Sequence, residues 1–266
     1  MGQICKPKDS GYKGVELDRI TFVIRLADVP VGISALYPST KEYCRAYLTE
    51  DAPALSIEIS PEDIAFEREK SAREDVYEAL PVRQYPDYYL ETLAVYRKIV
   101  EAFLDYDVIL FHGSVIAVDN AAYLFAAKSG TGKSTHTRLW RERFGERAVM
   151  VNDDKPLLKI TRDGVTAYGT PWDGKHRLSN NIAVPLQAIC ILERSQKNQI
   201  RQVTPRDAWP MLMQQSYRSA DPGKLAKSME LLDILASEVG LYRLGCNMEP
   251  EAAEVAYQGM QSLHYE

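Results

Sequence analysis

Cysteine is scarce and scattered in this chain. Four stand in 266 residues, at Cys5, Cys44, Cys190 and Cys246, and no two are spaced as C-x-x-C. That spacing argues against a zinc site or a disulfide framework and suits reduced thiols in a cytosol. A positively charged leader followed by a short apolar core is also missing, as is any apolar run long enough to cross a bilayer. These absences suit a cytoplasmic chain with no membrane partner. Positive charge is not in excess either: 32 Lys and Arg stand against 37 Asp and Glu, a formal net charge of −5. Bulk charge thus argues against a nucleic-acid partner, and any basic site has to be local. No internal repeat is visible. What is present is ordinary for a globular fold, with 45% hydrophobic and 26% charged residues in a length that suits one large domain or two small ones.

The most informative stretch is Tyr123 to Thr135, YLFAAKSGTGKST. Tyr123 to Ala127 has the length and composition of a short buried strand, and it gives way to small residues just before Lys133 and Ser134. Gly130 and Gly132 permit a backbone in which successive N–H groups face one concavity, and the helix that follows adds the positive end of its dipole. The pattern predicts a phosphate-binding loop over Ser129, Gly130, Thr131, Gly132, Lys133, Ser134 and Thr135, with a nucleotide as ligand. Lys133 would reach the β- and γ-phosphates as a point charge, and the Ser134 hydroxyl would complete the shell of a Mg²⁺ ion. The cofactors expected are therefore ATP and Mg²⁺. The full pattern has glycine where this chain has Ala127, so the motif is met in a loosened form. A glycine-rich turn with an incidental Lys-Ser is the bland alternative. Thr135 to Phe144 then reads as an amphipathic helix, with Leu139, Trp140 and Phe144 on one side, ended by Gly145.

Upstream, Ile20 to Leu26, Val31 to Leu36 and Leu55 to Ser60 read as strands, the first two joined around Asp28 to Pro30. Residues 1–18 are polar and turn-rich and are expected to be loosely held. Ser60, Pro61, Glu62 and Asp63 form a helix entry, and a charged helix runs from there toward Ala79. A second helix, Tyr85 to Phe103, carries Leu90, Leu93, Tyr96, Ile99, Val100 and Phe103 at helical spacing, a stripe expected to be core. A division near Asp105 separates a β-rich and helical region, 1–104, from a nucleotide-binding catalytic domain, 105–266. In the latter, Val108 to Phe111 is apolar, and His112 to Val118 and Ala121 to Ala127 form a hairpin turning at Asp119-Asn120. The strand entering the loop would then pair antiparallel with its predecessor, unlike the parallel sheet of the doubly wound nucleotide fold.

Beyond the loop helix, Ala148 to Asn152 is a strand that delivers Asp153 and Asp154 at its end. Two acids there suit metal and proton work: one holds Mg²⁺ directly or through water, and the other accepts a proton from an attacking hydroxyl. The alternative is that Asn152 to Asp154 merely begin a turn. Neighbours on an extended strand face opposite ways, so both acids serve one site only if the chain bends, and Lys155-Pro156 would allow that bend. The expected division puts Asp153 on the metal with Ser134 and Asp154 on the acceptor proton.

His112-Gly113, the loop AKSGTGKST, its short helix and then VNDDKP together resemble the catalytic core of the HPr kinase/phosphorylase family and its relatives of phosphoenolpyruvate carboxykinase-like fold. The likeness runs from Val108 to about Asn180, and the residues before it do not look like that family's usual N-terminal domain. The resemblance implies an α+β, P-loop-containing catalytic domain with a mixed or antiparallel sheet and flanking helices. It implies that Lys133 and Ser134 hold phosphate and Mg²⁺, that one of Asp153 and Asp154 is a metal ligand and the other the base, and that His112 assists near the transferred phosphoryl. Taken alone, a His before a glycine on a strand is more often structural. The implied activity is transfer of the γ-phosphate of Mg-ATP to a hydroxyl, on a small molecule or on a serine of a protein or peptide. Oligomeric state, a homo-oligomer included, is left open. A nucleotide-gated ATPase and a noncatalytic ATP-binding switch are the alternatives.

Tyr168 to Arg177, YGTPWDGKHR, reads as a loop facing nucleotide or acceptor. Lys175, His176 and Arg177 would bring positive charge to phosphate or else form a solvated turn; Trp172 would stack a base or anchor the loop. Gln187 to Leu192 reads as a strand and Glu193 to Arg201 as a polar, hairpin-like excursion. Thr204 to Asp207 open a helix bearing Trp209, Leu212 and Met213. Leu241 to Cys246 is a strand between the helices Lys224 to Ser237 and Pro250 to Leu263.

Overall fold

The computed structural model describes residues 19–77 and 79–261. The expectations for residues 1–18 and for the end of the last helix lie outside them. The amino-terminal part begins with β1 (Ile20–Leu26) and β2 (Val29–Ala35), antiparallel, with Leu26 opposite Val29. The turn is two residues, Ala27 and Asp28, both at positive φ (46° and 65°). Such a turn matches the twist of the strands, so Val29 and Pro30 belong to β2 and not to the turn as the sequence suggests. After α1 (Pro38–Tyr43), which the sequence pattern does not reveal, β3 (Leu55–Glu58) adds parallel to β2. α2 (Pro61–Tyr77) starts with a reciprocal cap: the Ser60 N–H donates to the Asp63 carboxylate at 3.0 Å and the Asp63 N–H donates to Ser60 Oγ at 3.4 Å. α3 (Asp87–Phe103) begins after Pro86, because a proline ring disfavours helix at the residue before it, here Tyr85. Its stripe is core as expected, with Leu90, Tyr96, Ile99, Val100 and Phe103 buried together with residues of the small sheet. That core also takes in Val108, Leu157 and Trp172 from beyond Asp105.

The larger sheet has nine strands and is mixed. In chain order this part runs β4 (Val108–Leu110), β5 (Ser114–Val118), β6 (Ala121–Ala126), α4 (Lys133–Phe144), β7 (Ala148–Asn152), β8 (Leu157–Thr161), β9 (Gly164–Tyr168), β10 (Ala183–Arg194), β11 (Gln199–Gln202), α5 (Pro205–Gln215), α6 (Pro222–Glu238), β12 (Gly240–Cys246) and α7 (Glu251–Gln261). The strands lie in the order β4-β8-β9-β10-β6-β5-β7, with β12 on β10 and β11 on β12. β5 and β6 form the expected hairpin, with Asp119 and Asn120 at φ 52° and 65° and Val118 opposite Ala121. On its other side β6 pairs parallel with β10, so the strand feeding the loop has one antiparallel and one parallel neighbour. β10 extends past Leu192 to Arg194 because β12 supplies ladder partners along it from Ala188 onward. The polar segment after β10 does not fold back on it: β11 pairs antiparallel with β12, Gln199 opposite Gly245.

Alternation along β6 explains its apolar run. Ala122, Leu124 and Ala126 pack with Leu212 of α5 and Leu232 and Leu235 of α6. Tyr123, Phe125 and Ala127 pack with Leu139 and Trp140 of α4 and Ala252 and Ala256 of α7. A strand covered on both faces has no polar side to show, so periodicity vanishes and only composition marks it. The result is a mixed α/β fold with helices on both faces of the larger sheet, and the loop leaves β6 where α4 begins. No helix among the described residues is long and apolar enough to cross a membrane.

Candidate functional site

The segment Ala127 to Gly132 links β6 to α4. Gly130 (φ 73°) and Gly132 (φ 125°) adopt backbone conformations that side chains rarely permit, while a Cβ on Gly130 would meet nothing within 4 Å. Conformation, not space, demands these glycines. Gly132 stands at the cap of α4, which starts at Lys133, before the apolar pattern of the helix begins. Ser129 to Thr135 line one pocket of about 430 Å³ together with His112, Asp153 and Asp154. The Lys133 ammonium donates to the Ala127 carbonyl at 3.5 Å. Burial lowers its pKa, and the charge of Asp154 works the other way.

The two acids reach the pocket through a local device. β7 ends at Asn152, whose side-chain Oδ1 accepts the N–H groups of Asp154 (2.9 Å) and Lys155 (2.7 Å) while its amide donates to Thr170. This Asx turn makes the bend at Asp153 and Asp154, ahead of Lys155-Pro156. Asp153 is buried, and its Oδ1 accepts the Gly174 N–H at 2.6 Å. Burial raises its carboxyl pKa, and the neighbouring charges of Asp173 and Asp154 push the same way. Asp154 differs. Its Oδ1 lies 3.2 Å from His112 Nε2 and its Oδ2 3.6 Å from Lys155 Nζ. Burial opposes its charge, but the His112 hydrogen bond and the charges of Lys155, His112 and Lys133 prevail and hold it below the usual carboxylate range.

His112 precedes β5 instead of lying in it, and three bonds fix that junction. The His112 N–H donates to Gln215 O at 2.6 Å, the Gly113 N–H to Asp154 O at 3.0 Å, and Ser114 Oγ to Asp153 O at 2.9 Å. A Cβ on Gly113 would come to 3.0 Å from the Phe125 carbonyl, so any other residue there would push β6 back slightly. Oxygen donors from Ser134 and Asp153 suit a hard cation, and a divalent ion would offset the acidic surroundings of Asp153. No group of three or more His, Cys, Asp or Glu side chains among the described residues is placed to hold a metal. Mg²⁺ here would take the rest of its shell from phosphate and water.

The segment after β9 supplies another wall. Trp172 anchors it: the indole N–H donates to Thr92 O at 2.8 Å, and the ring, 2% exposed, stacks on Tyr96 at 4.1 Å and 3°. So enclosed a ring has no face to offer a base. Gly174, Lys175 and His176 then line the pocket at the glycine loop. Arg177 does not; its guanidinium lies over the Tyr43 ring at 4.7 Å and pairs with Asp173. The sequence also failed to single out Arg194, whose guanidinium donates to the loop carbonyls of Gly130 (2.5 Å) and Thr131 (3.4 Å). It stands in a stretch that reads as polar connection, so no local signal marks it.

No family model matches the chain, and no curated protein matches it. Among solved structures, the HPr(Ser) kinase/phosphatase from Coxiella burnetii is similar at 8% identity, over 58% of this chain and 97% of that one, with a TM-score of 0.34. The likeness is distant and carries no argument; function has to be read from the pocket itself.

Proposed function

We propose that the chain is a kinase that uses Mg-ATP to phosphorylate a hydroxyl, with a P-loop catalytic domain of the phosphoenolpyruvate carboxykinase-like type. The convergence of the glycine loop, Asp153, Asp154 and His112 on one pocket supports it. The β- and γ-phosphates lie in the loop against the free N–H groups at the start of α4, with Lys133 beside them. Ser134 and Asp153 would hold Mg²⁺, which would supply positive charge against the phosphates. The acceptor oxygen bonds to the γ-phosphorus as the bond from that phosphorus to the β–γ bridging oxygen breaks; ADP leaves, and the acceptor proton passes to Asp154, which His112 orients. Lys175 adds positive charge at the pocket wall, with the His176 side chain beside it in the sequence.

The test is to incubate the protein with Mg-ATP, with and without a panel of polyols, free serine and serine peptides, and to follow ADP and phosphorylated product. Acceptor-dependent ADP release with a phosphorylated hydroxyl is expected. ADP and inorganic phosphate released at the same rate without any acceptor would make the chain an ATPase, and nucleotide binding without turnover would make it a switch.

A further inference from the structure

A second pocket, of about 180 Å³, lies between α2, α3 and the bend that carries the two acids. Two stretches of chain border both it and the pocket at the glycine loop: His112 and Asp154 line the latter, and their near neighbours Leu110 and Lys155 line the former. Side chains two apart on an extended segment share a face. Ile109 and Phe111 pack beneath the larger sheet, whereas Val108 and Leu110 pack with the amino-terminal core. Phe111 bridges Ser216 as a strand residue would, so His112 continues the face of Leu110. Tyr96 of α3 ties the two parts together, its hydroxyl donating to the Lys155 carbonyl at 2.7 Å. The amino-terminal helices therefore flank His112 and Asp154.

The apolar lining of this second pocket comes from Leu93 and Val100 of α3 and from Leu110. Much of its polar lining is engaged within the protein: Glu67 with Arg97, the Tyr96 hydroxyl with Lys155 O, and the Tyr217 hydroxyl with Glu101. Two ammonium groups are held less firmly. Lys70 Nζ lies 3.7 Å from Glu67 and Lys155 Nζ 3.6 Å from Asp154, each too far for a hydrogen bond. Both acids have a nearer partner, Arg97 for Glu67 and His112 for Asp154. Glu74 adds one exposed carboxylate from α2. Two cations with donors to spare against one such acid favour an anionic group on the ligand.

We propose that this pocket holds the acceptor and that the acceptor is a small hydroxy acid, its carboxylate met by the Lys155 ammonium and its hydroxyl directed to Asp154, with Lys70 adding positive charge. The assignment rests on the kinase reading above. Size decides against a stretch of peptide, because the pocket has less than half the 430 Å³ of its neighbour and suits a molecule of a few heavy atoms. Lys155 adjoins the base in the chain, which sets the carboxylate within a few bonds of the reacting hydroxyl. In the transfer the hydroxyl oxygen bonds to the γ-phosphorus, the bond from that phosphorus to the leaving oxygen of ADP breaks, and the proton passes to Asp154. The products are ADP and the phosphate ester of the acid.

Pairs of acceptors that differ in the carboxylate provide the test. At saturating Mg-ATP, glycerate should exceed glycerol, or L-serine exceed serinamide, by at least about tenfold in kcat/KM, a gap of about 1.4 kcal/mol. Lys155→Met should bring that ratio toward one, since any effect it has through Asp154 falls on the acid and its carboxylate-free counterpart alike. Ser71→Phe, which fills the pocket from α2, should abolish use of either acid and keep parental affinity for Mg-ATP. Circular dichroism reports whether it folds, and Lys155→Met decides the matter if it does not. Glycerol, serinamide or a peptide with an internal serine phosphorylated as well as both acids would overturn the pocket assignment and leave the kinase reading intact. So would a Lys155→Met variant with an undiminished ratio, or a folded Ser71→Phe variant that uses the acids as the parent does. ADP release that no acceptor in the panel changes would overturn the kinase reading itself.

Discussion

Two walls of the pocket at the glycine loop are built in opposite ways. Ser129 to Thr135 is a run of consecutive residues whose shape follows from two glycines at positive φ and a helix start. Gly174 to His176 are placed by burial at a distance, because Trp172 is sunk in the amino-terminal core and bonded to Thr92 far back in the chain. A wall specified by its own backbone should survive damage that destroys a wall held by remote packing.

The largest effect that would break this contrast comes from Trp172→Ala. Truncating a buried tryptophan costs about 3–5 kcal/mol, so the denaturation midpoint should fall sharply. Mg-ATP affinity of the folded fraction should stay within about threefold of the parent, well under the 1.4 kcal/mol of a tenfold change. A variant with parental stability and lost nucleotide affinity would mean that the ring serves the base after all.

Asp154→Asn sharpens the comparison between the adjacent acids. It keeps size and much of the hydrogen bonding but cannot take the proton, so transfer should fall by about 10²-fold or more while Mg-ATP still binds. Asp153→Asn should instead raise the Mg²⁺ concentration needed for nucleotide binding. Equal shifts of the Mg²⁺ requirement in both would make the pair one metal site, and a fully active Asp154→Asn would end its role as base.

Lys133→Ala tests the local wall directly. Affinity for Mg-ATP should drop by about 10²-fold, near 2.7 kcal/mol, with the unfolding transition little changed, because within the protein the ammonium donates only weakly, to the Ala127 carbonyl. Parental affinity in calorimetry would defeat the phosphate-loop assignment.

The smallest effect lies away from the pocket. Asp63 sits between Arg97 and Lys98, and although burial opposes its charge, those hydrogen bonds and charges hold its carboxyl below the ordinary value of 3.8. A depressed carboxyl contributes stability that is full above the unfolded-state value and is lost as pH falls through the folded one. Asp63→Asn should therefore cost about 1 kcal/mol or less at neutral pH, flatten the acid limb of the stability curve and leave nucleotide binding alone. A stability loss equal at neutral and acid pH would show that charge is not the cause.

Much of the candidate site was legible because its parts are local. The Gly130-Gly132 spacing, the two-residue turn at Asp119-Asn120, the stripe of α3 and the strand ending at Asn152 each follow from backbone preferences within a few residues. α1 was not, since Pro38 to Tyr43 is too short to show a period. Nor was the pairing of β11 with β12, which is set by strands far apart in the chain. By itself the sequence determined that a glycine loop enters a helix and that two acids follow on the next strand. Only the tertiary structure decided that His112 and Lys155 pair with Asp154 while Asp153 is buried beside the charges of Asp173 and Asp154, that Trp172 is an anchor, and that Arg177 turns away from the pocket where Lys175 and His176 stay. The reason is that side-chain charge and burial depend on what the fold brings alongside, and neighbours in sequence as close as Asp153 and Asp154 can meet opposite surroundings.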